Sequence, residues 1–377
     1  MRVTFACMIN DSPILLTEST AAERTKFRRA LLKWFDSHQR DLPWRKDRTP
    51  YRIWVSEIML QQTQVATVID YFKRFMKRFP TVSKLAAADQ SEVLKLWEGL
   101  GYYRRARQLH TAASVVVERH RGNFPETFDE VLALPGIGRY TAGAILSISL
   151  DQQLPILEGN TIRLFARLMQ MESDPRSSAN QKLLWQFSES LLPKKRAGDF
   201  NQSLMEIGSE ICTPRCPKCS ECPIIKFCPT FRGGLQNQIP APSVKMKYES
   251  IREAVVLVSK VTRGQTKFLV RLCGEGERWT GLWDFPRFEL GNRRAEVWLP
   301  EQIKSLTGLD VSVGSSSLQM KHAVTRFRIT LDVFSSEQVT GRLKSGAASE
   351  LRWATNKELL EMPMSTTGRK IADRCCI

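Results

Sequence analysis

Between residues 21 and 103 the apolar side chains recur at helical rather than alternating spacing. Trp54, Ile58, Val65, Ile69 and Phe72 follow one another at intervals of four, seven, four and three, which lines up one apolar helix face. An Ala-rich helical pattern starts near Thr141, and another runs over 161–169. Past residue 250 the period shortens: 254–261, 266–272 and 327–334 read as strands, 279–286 as an aromatic turn and 301–306 as a helix. The stretch 231–250, with Gly233-Gly234 and Pro240-Ala241-Pro242, reads as an interdomain linker. The expected organisation is an N-terminal extension over 1–20, a mainly α region over 21–230, the linker, and a separate α+β module over 251–377.

One stretch, Leu134-Pro135-Gly136-Ile137-Gly138-Arg139-Tyr140-Thr141, sets a hairpin between two helical patterns. Gly136 and Gly138 let the backbone approach a ligand closely, and the free N–H groups of the following helix make an anion site suited to phosphate. A lone G-x-G is more often only a tight corner. Here Leu134 and Ile137 are spaced to pack the hairpin onto its own helices, and the charge of the chain tips the reading towards DNA phosphate.

That charge is +17, from 56 Lys and Arg against 39 Asp and Glu in 377 residues. With 42% apolar and 25% charged residues the chain is globular, long enough for two or three cores, and suited to a polyanionic partner, nucleic acid first. No run is long and apolar enough to span a bilayer, and 1–20 lacks the apolar core of a signal peptide. The expectation is a cytoplasmic, nucleoid-associated monomer of bacterial origin. Five of nine cysteines crowd between Cys212 and Cys228, which points to a metal or cluster site in a reducing compartment.

Candidate chemistry gathers at a few places. Glu57 neighbours the apolar stripe, where its charged form is disfavoured and its pKa should rise towards that of a usable general acid. Gln61, Gln62, Thr63 and Gln64 follow it as a surface built to hydrogen-bond. Glu158 stands at a helix entrance, where the dipole favours its anion, with Asn160 as the expected N-cap. A protonated Glu57 with an anionic Glu158 is the division of labour that glycosidic hydrolysis through an oxocarbenium-like transition state requires. Gly99 and Gly101, Tyr102 and Tyr103, and three arginines over 104–107 fit phosphate contacts with an aromatic wedge. Cys212, Cys219, Cys222 and Cys228 can close on one metal centre, and their spacing leaves structural zinc and an iron–sulfur cluster both open.

The ordered set resembles the adenine-specific mismatch DNA glycosylases of the MutY type over nearly the whole chain. The carrying stretches are Leu42-Pro43-Trp44-Arg45, 57–64, 99–107, the hairpin, 155–160 and the four cysteines. The resemblance implies a two-lobed helix-hairpin-helix glycosylase region with its active site in the cleft, followed by a MutT-like module. It implies a monofunctional base-excision enzyme that removes adenine opposite 8-oxoguanine or guanine in double-stranded DNA. Glu57 falls on the family's general acid, Tyr140 and Asn160 on positions supporting the sugar and the catalytic carboxylate, and Tyr102 on the intercalating tyrosine. Cys212, Cys219, Cys222 and Cys228 fall on the ligands of one 4Fe–4S cluster, leaving Cys216 as an extra. Related strand-cutting enzymes carry a Lys where this chain has Tyr140, and no Lys occurs over 131–181, so no lyase activity is expected.

Two positions depart from the family pattern. Glu158 stands where the family has Asp, and its extra methylene moves the carboxylate by roughly an ångström, which can cost about a hundredfold in rate. A non-catalytic or weakly active mismatch-binding protein is therefore the alternative. The family's Phe-Ser-His loop for the lesion aligns with Val324-Thr325-Arg326, where Thr325 keeps a hydroxyl and the aromatic is gone. The module also lacks the Arg-Glu-x-x-Glu-Glu metal motif, so no nucleotide hydrolysis is expected of it.

Overall fold

The computed structural model describes residues 16–242, 247–344 and 350–375. The helical part runs α1 Ala21–His38, α2 Pro43–Lys46, α3 Pro50–Leu60, α4 Val65–Arg78, α5 Val82–Ala86, α6 Gln90–Trp97, α7 Arg104–His120, α8 Phe128–Leu132, α9 Arg139–Leu150, α10 Gly159–Leu168, α11 Ser178–Leu191, α12 Ala197–Glu210 and α13 Pro229–Arg232. The chain divides into two compact units, Met1–Ser83 with Ala112–Val244 and Lys84–Thr111 with Lys245–Ile377. Of the expected N-terminal extension, 1–15 lies outside the described residues. Leu16 is fully buried in the first unit's core, and Thr20 starts α1 through a capping box with Glu23.

The first unit is all helix and loop among its described residues. Phe27 of α1 meets Phe200 of α12 and Phe227 of the cysteine loop edge-on, and Phe165, Leu184 and Phe187 bring α10 and α11 to the same core. The apolar stripe of 54–72 is not one helix: α3 stops at Leu60 and α4 restarts at Val65. Val65 and Ile69 are only half-buried, and α4 turns Val68, Phe72, Phe75 and Met76 inward instead. The break at 61–64 resets the helical phase, which a run of spacings across it cannot register.

The expected linker is partly built into this unit. α13 occupies its start, and Ile239 is buried in the core, its carbonyl accepting from Arg167 Nε at 2.9 Å. α12 and α10 approach almost backbone to backbone. A Cβ at Gly208 would lie 2.7 Å from Asn160 Cβ and 3.1 Å from the Asn160 carbonyl oxygen.

In the second unit, Lys84–Thr111 folds with an α+β module of β1 Glu249–Leu257, β2 Ser259–Thr262, β3 Gln265–Leu272, β4 Trp283–Asp284, β5 Arg287–Glu289, α14 Ala295–Thr307, β6 Leu309–Val324, β7 Phe327–Gly341, β8 Leu351–Thr355, α15 Asn356–Glu361 and α16 Thr366–Cys375. One sheet is ordered β5-β1-β7-β6, with β1 and β7 parallel and in register at Val255 and Val333. The other pairs β3 with β8 along one edge and with β2 and then β4 along the opposite edge, since Phe268 faces both Ser259 and Ala354 and Arg271 faces both Asp284 and Leu351. Two apolar clusters cover them, one around Phe285, Leu331 and Ile371 and one around Leu269, Leu299 and Ile303.

β6 escaped the sequence reading because Gly314-Ser315-Ser316-Ser317 looks like a breaker. The ladder absorbs it as register shifts, with Ser316 and Ser317 hydroxyls donating to the Val333 carbonyl at 3.3 and 3.2 Å. α14 is longer than 301–306 because burial of Ala295, Leu299 and Ile303 carries it through Pro300.

Candidate active site

α3 starts with Pro50 at its first turn and packs against both α4 and α9, so almost every side chain from Ile53 to Met59 is buried. Glu57 has no polar face to escape to and is only 4% exposed. Tyr140, in the first turn of α9, donates its hydroxyl to Glu57 Oε2 at 2.7 Å. Burial pushes the Glu57 carboxyl up to about 7; the Tyr140 bond opposes this, the Glu158 charge adds to it, and Arg45 opposes it. Burial and the two carboxylates hold the Tyr140 phenol well above its ordinary range, so it stays a donor.

Glu158, not Asn160, is the N-cap of α10. Its Oε1 accepts from Thr161 N at 2.9 Å and its Oε2 from Asn160 N at 2.8 Å, while the Thr161 hydroxyl accepts from Glu158 N at 2.8 Å. The longer side chain therefore still reaches the orphan N–H groups that a shorter acid would cap. Burial raises the Glu158 pKa against these donors and Arg163. The expectation of an anion favoured by the helix start meets an opposing desolvation that the sequence did not display. Asn160, displaced from the cap, accepts from Arg163 Nη2 through Oδ1 at 2.9 Å.

A cleft of about 680 Å³ brings these groups together: Glu57, Tyr140, Glu158 and Asn160 line it with Gln61, Gln62 and Thr63. Gln61 Nε2 donates to Thr141 Oγ1 at 3.4 Å, and Gln62 takes a left-handed φ of 56° in the turn between α3 and α4. Gly136 and Gly138 are not among the lining residues. Gly136 has φ 79°, and Gly138 caps α9 with no atom within 4 Å of where its Cβ would be, so the hairpin is open on that side. Leu134 and Ile137 are buried as their spacing required. Tyr102 and Thr325 belong to the second unit. Tyr102 is 53% exposed, with φ 48°, and Thr325 sits at the β6–β7 tip with φ 50°, its hydroxyl donating to the Val324 carbonyl at 2.8 Å.

One wall was missed from sequence. Glu206 of α12 is 1% exposed, and Arg40 Nε and Arg45 Nη2 donate to it at 2.6 and 2.8 Å. Burial opposes ionisation, yet the two arginines hold Glu206 below the usual carboxylate range. Gln202 accepts from Arg45 Nε at 3.0 Å, and both line the cleft. Arg45 lay within a stretch that carried the family resemblance; Glu206 had no comparable signal.

Cys212, Cys219, Cys222 and Cys228 line a separate, largely apolar pocket with Leu164, Leu168, Ile211 and Ile224, while Cys216 is exposed and outside it. Burial and neighbouring thiols push Cys222 up to about 12 and Cys228 to about 11, and Cys219 upward as well. Such thiols are poor thiolates until a cation joins them. Among the described residues no three Cys, His, Asp or Glu side chains gather closely enough to hold a single metal ion. Arg167 Nη1 donates to Cys212 Sγ at 3.2 Å and ties the loop to α10.

Residues 55–190 match the HhH-GPD superfamily of base excision DNA repair proteins, and 257–374 match the NUDIX domain. An adenine DNA glycosylase of Schizosaccharomyces pombe is 32% identical over 415 residues, covering 93% of this chain and 89% of the relative. The chain belongs to the adenine DNA glycosylase family. Another adenine DNA glycosylase, from Rattus norvegicus, is 49% identical over 232 residues, which is 59% of this chain and 45% of that one. The chain thus spans about half the length of that relative. Among solved structures, a thermostable thymine-DNA glycosylase is 30% identical with a TM-score of 0.52, covering 56% of this chain and 98% of its own. As a member of the adenine DNA glycosylase family, the chain pairs its helical region with a NUDIX module, as the change of period at residue 250 suggested. Among the described residues no helix is long and apolar enough to cross a membrane.

Proposed function

We propose that this chain is a monofunctional DNA glycosylase that hydrolyses the N-glycosidic bond of adenine mispaired with 8-oxoguanine or guanine. The observation that carries the reading is Glu57: a carboxyl poised near pH 7, held by Tyr140, in one cleft with Glu158. Duplex DNA docks through the open hairpin of Gly136 and Gly138 and the basic surface. Tyr102 wedges into the stack and adenine flips into the cleft, at a few kcal/mol, less at a mispair. Glu57 donates its proton to the base at N7, which makes adenine a neutral leaving group. Glu158, whose two backbone N–H donors favour the anion, stabilises the positive sugar, and water completes the hydrolysis. Tyr140 offers a phenol and no amine, so the product is an abasic site in an uncut strand. The β6–β7 tip at Thr325 reads the opposite base.

Cys212, Cys219, Cys222 and Cys228, four thiols lining one largely apolar pocket, fit the 4Fe–4S cluster that the family resemblance implies. When bound, such a cluster supplies cross-linking of the loop, and no step of hydrolysis runs through it.

A single-turnover assay on duplex with adenine opposite 8-oxoguanine tests the reading. Free adenine and an alkali-labile strand are expected; release of thymine or an oxidised pyrimidine instead would place the chain with other mismatch glycosylases. The second reading, a non-catalytic mismatch binder, is favoured by one observation: both Glu158 carboxylate oxygens are engaged by their own helix. It predicts tight binding without abasic product, and activity appearing only with Glu158→Asp.

A further inference from the structure

The turn that carries Tyr102 is held by the C-terminal module rather than by its own helices alone. Gly99, Gly101 and Tyr102 all take left-handed φ values, of 98°, 71° and 48°; the glycines do so at no steric cost, but Tyr102 does not, so the turn holds a backbone shape there that the surroundings must maintain. Its two flanks converge on one residue of the module. On one flank Glu98 Oε2 accepts from Met364 N at 3.4 Å, and on the other Tyr103 donates its hydroxyl to the Met364 carbonyl at 3.4 Å while accepting from Gly99 N at 3.3 Å. The Glu98 carboxylate is the main anchor. Arg369 of α16 donates to its Oε1 from Nε at 2.6 Å, and its remaining donors bind the Leu359 and Met362 carbonyls at 2.8 Å each. Lys95 bridges Glu98 Oε2 and the Leu360 carbonyl at 3.1 and 2.5 Å. The ion pair is largely shielded, with side chains 14% and 16% exposed, so it is worth more than a surface pair. Farther along, Arg107 donates to the Thr280 carbonyl at 2.6 Å.

We propose that Glu98 and Arg369 are positioning residues through which the C-terminal module sets the Tyr102 turn, so that reading of the opposite base and insertion of the wedge act as one event. This rests on the reading of Tyr102 as the wedge and of the module as the lesion reader. Neither residue touches the reacting atoms.

Glu98→Gln removes the charge while leaving Arg369 its carbonyl partners, and it is the variant of choice; Arg369→Lys serves as the conservative partner that retains the charge. In the protein without DNA, amide hydrogen exchange over 99–103 is expected to rise about tenfold in Glu98→Gln, with the strands of the module unchanged and Arg369→Lys nearer the parent. The preference for duplex containing adenine opposite 8-oxoguanine over fully paired duplex should fall about fivefold, mainly in affinity rather than in base release at saturating protein. Unchanged exchange would overturn the coupling. So would raised exchange with the parent's preference intact. A parent that releases no adenine and ignores mispairs would instead sink the functional reading, while the exchange measurement, which uses no DNA, would still decide whether Glu98 holds the turn.

Discussion

Tyr140 donates its hydroxyl to Glu57 across 2.7 Å, linking the first turn of α9 to the middle of α3. The bond works against burial: desolvation drives the Glu57 carboxyl towards its protonated form, and the phenol pulls it back towards the anion. The balance lies at about 7, near where a general acid is most useful.

Removing the phenol should therefore move the pH profile in a known direction. Tyr140→Phe leaves burial opposed only by the weaker pull of Arg45, so the fraction of protonated Glu57 persists to higher pH. The alkaline limb of single-turnover adenine release should shift upward by about one pH unit. A limb that stays in place would mean that another group titrates there.

Glu57→Gln should abolish adenine release while preserving mispair binding. The same substitution should stabilise the fold in base. The folded pKa of about 7 lies above the ordinary 4.5, so the contribution of Glu57 is fully present below about 4.5 and lost as pH rises through about 7. A neutral amide escapes that loss, worth up to about 3 kcal/mol above the folded pKa and nothing near pH 4. Thermal melts of parent and variant at the two pH values check it; an equal difference at both would contradict the assigned ionisation.

Glu158 has a structural duty, as the cap of α10, beside the chemical one proposed for it. Glu158→Gln should cost about 1 kcal/mol through a weaker cap, whereas Glu158→Asp should keep the cap within a few tenths of that. Adenine release should fall by roughly two orders of magnitude or more in Glu158→Gln and stay at or above the parent's in Glu158→Asp. Denaturant midpoints and single-turnover rates measured on the same samples separate the two duties.

Protein purified without air should contain iron and absorb in the visible. Cys216→Ser should leave both unchanged, because Cys216 is exposed and outside the pocket of the other four. Cys222→Ser should lose iron and lower the melting temperature, since an unpaired buried donor set replaces a cross-link. Zinc in place of iron would overturn the cluster assignment.

The two acids were legible because their surroundings were: Glu57 beside a dense apolar run, Glu158 at a helix start. Burial, however, is a sum over distant segments. The desolvation of Glu158 comes from neighbours that no local window contains, and so does the pairing of Arg40 and Arg45 with Glu206, more than 150 residues away. The phase break between Leu60 and Val65 hid inside an acceptable helical count. β6 hid for the opposite reason: its serines look like a loop until β7 lends them a partner carbonyl. The grouping of Lys84–Thr111 with the C-terminal module likewise depends on pairs such as Glu98 and Arg369, which sequence spacing does not bring together.

The missing side chain at Gly208 has a consequence for how this cleft can evolve. With Asn160 Cβ only 2.7 Å from where a Cβ would lie, even a methyl group would push on the residue two positions after Glu158. Helix α12 thus acts as a fixed jaw whose distance from α10 is a backbone property. Any drift in the size of the accommodated base would have to be accepted elsewhere on the lining, which Leu60 and Val65 reach from the two ends of the break between α3 and α4.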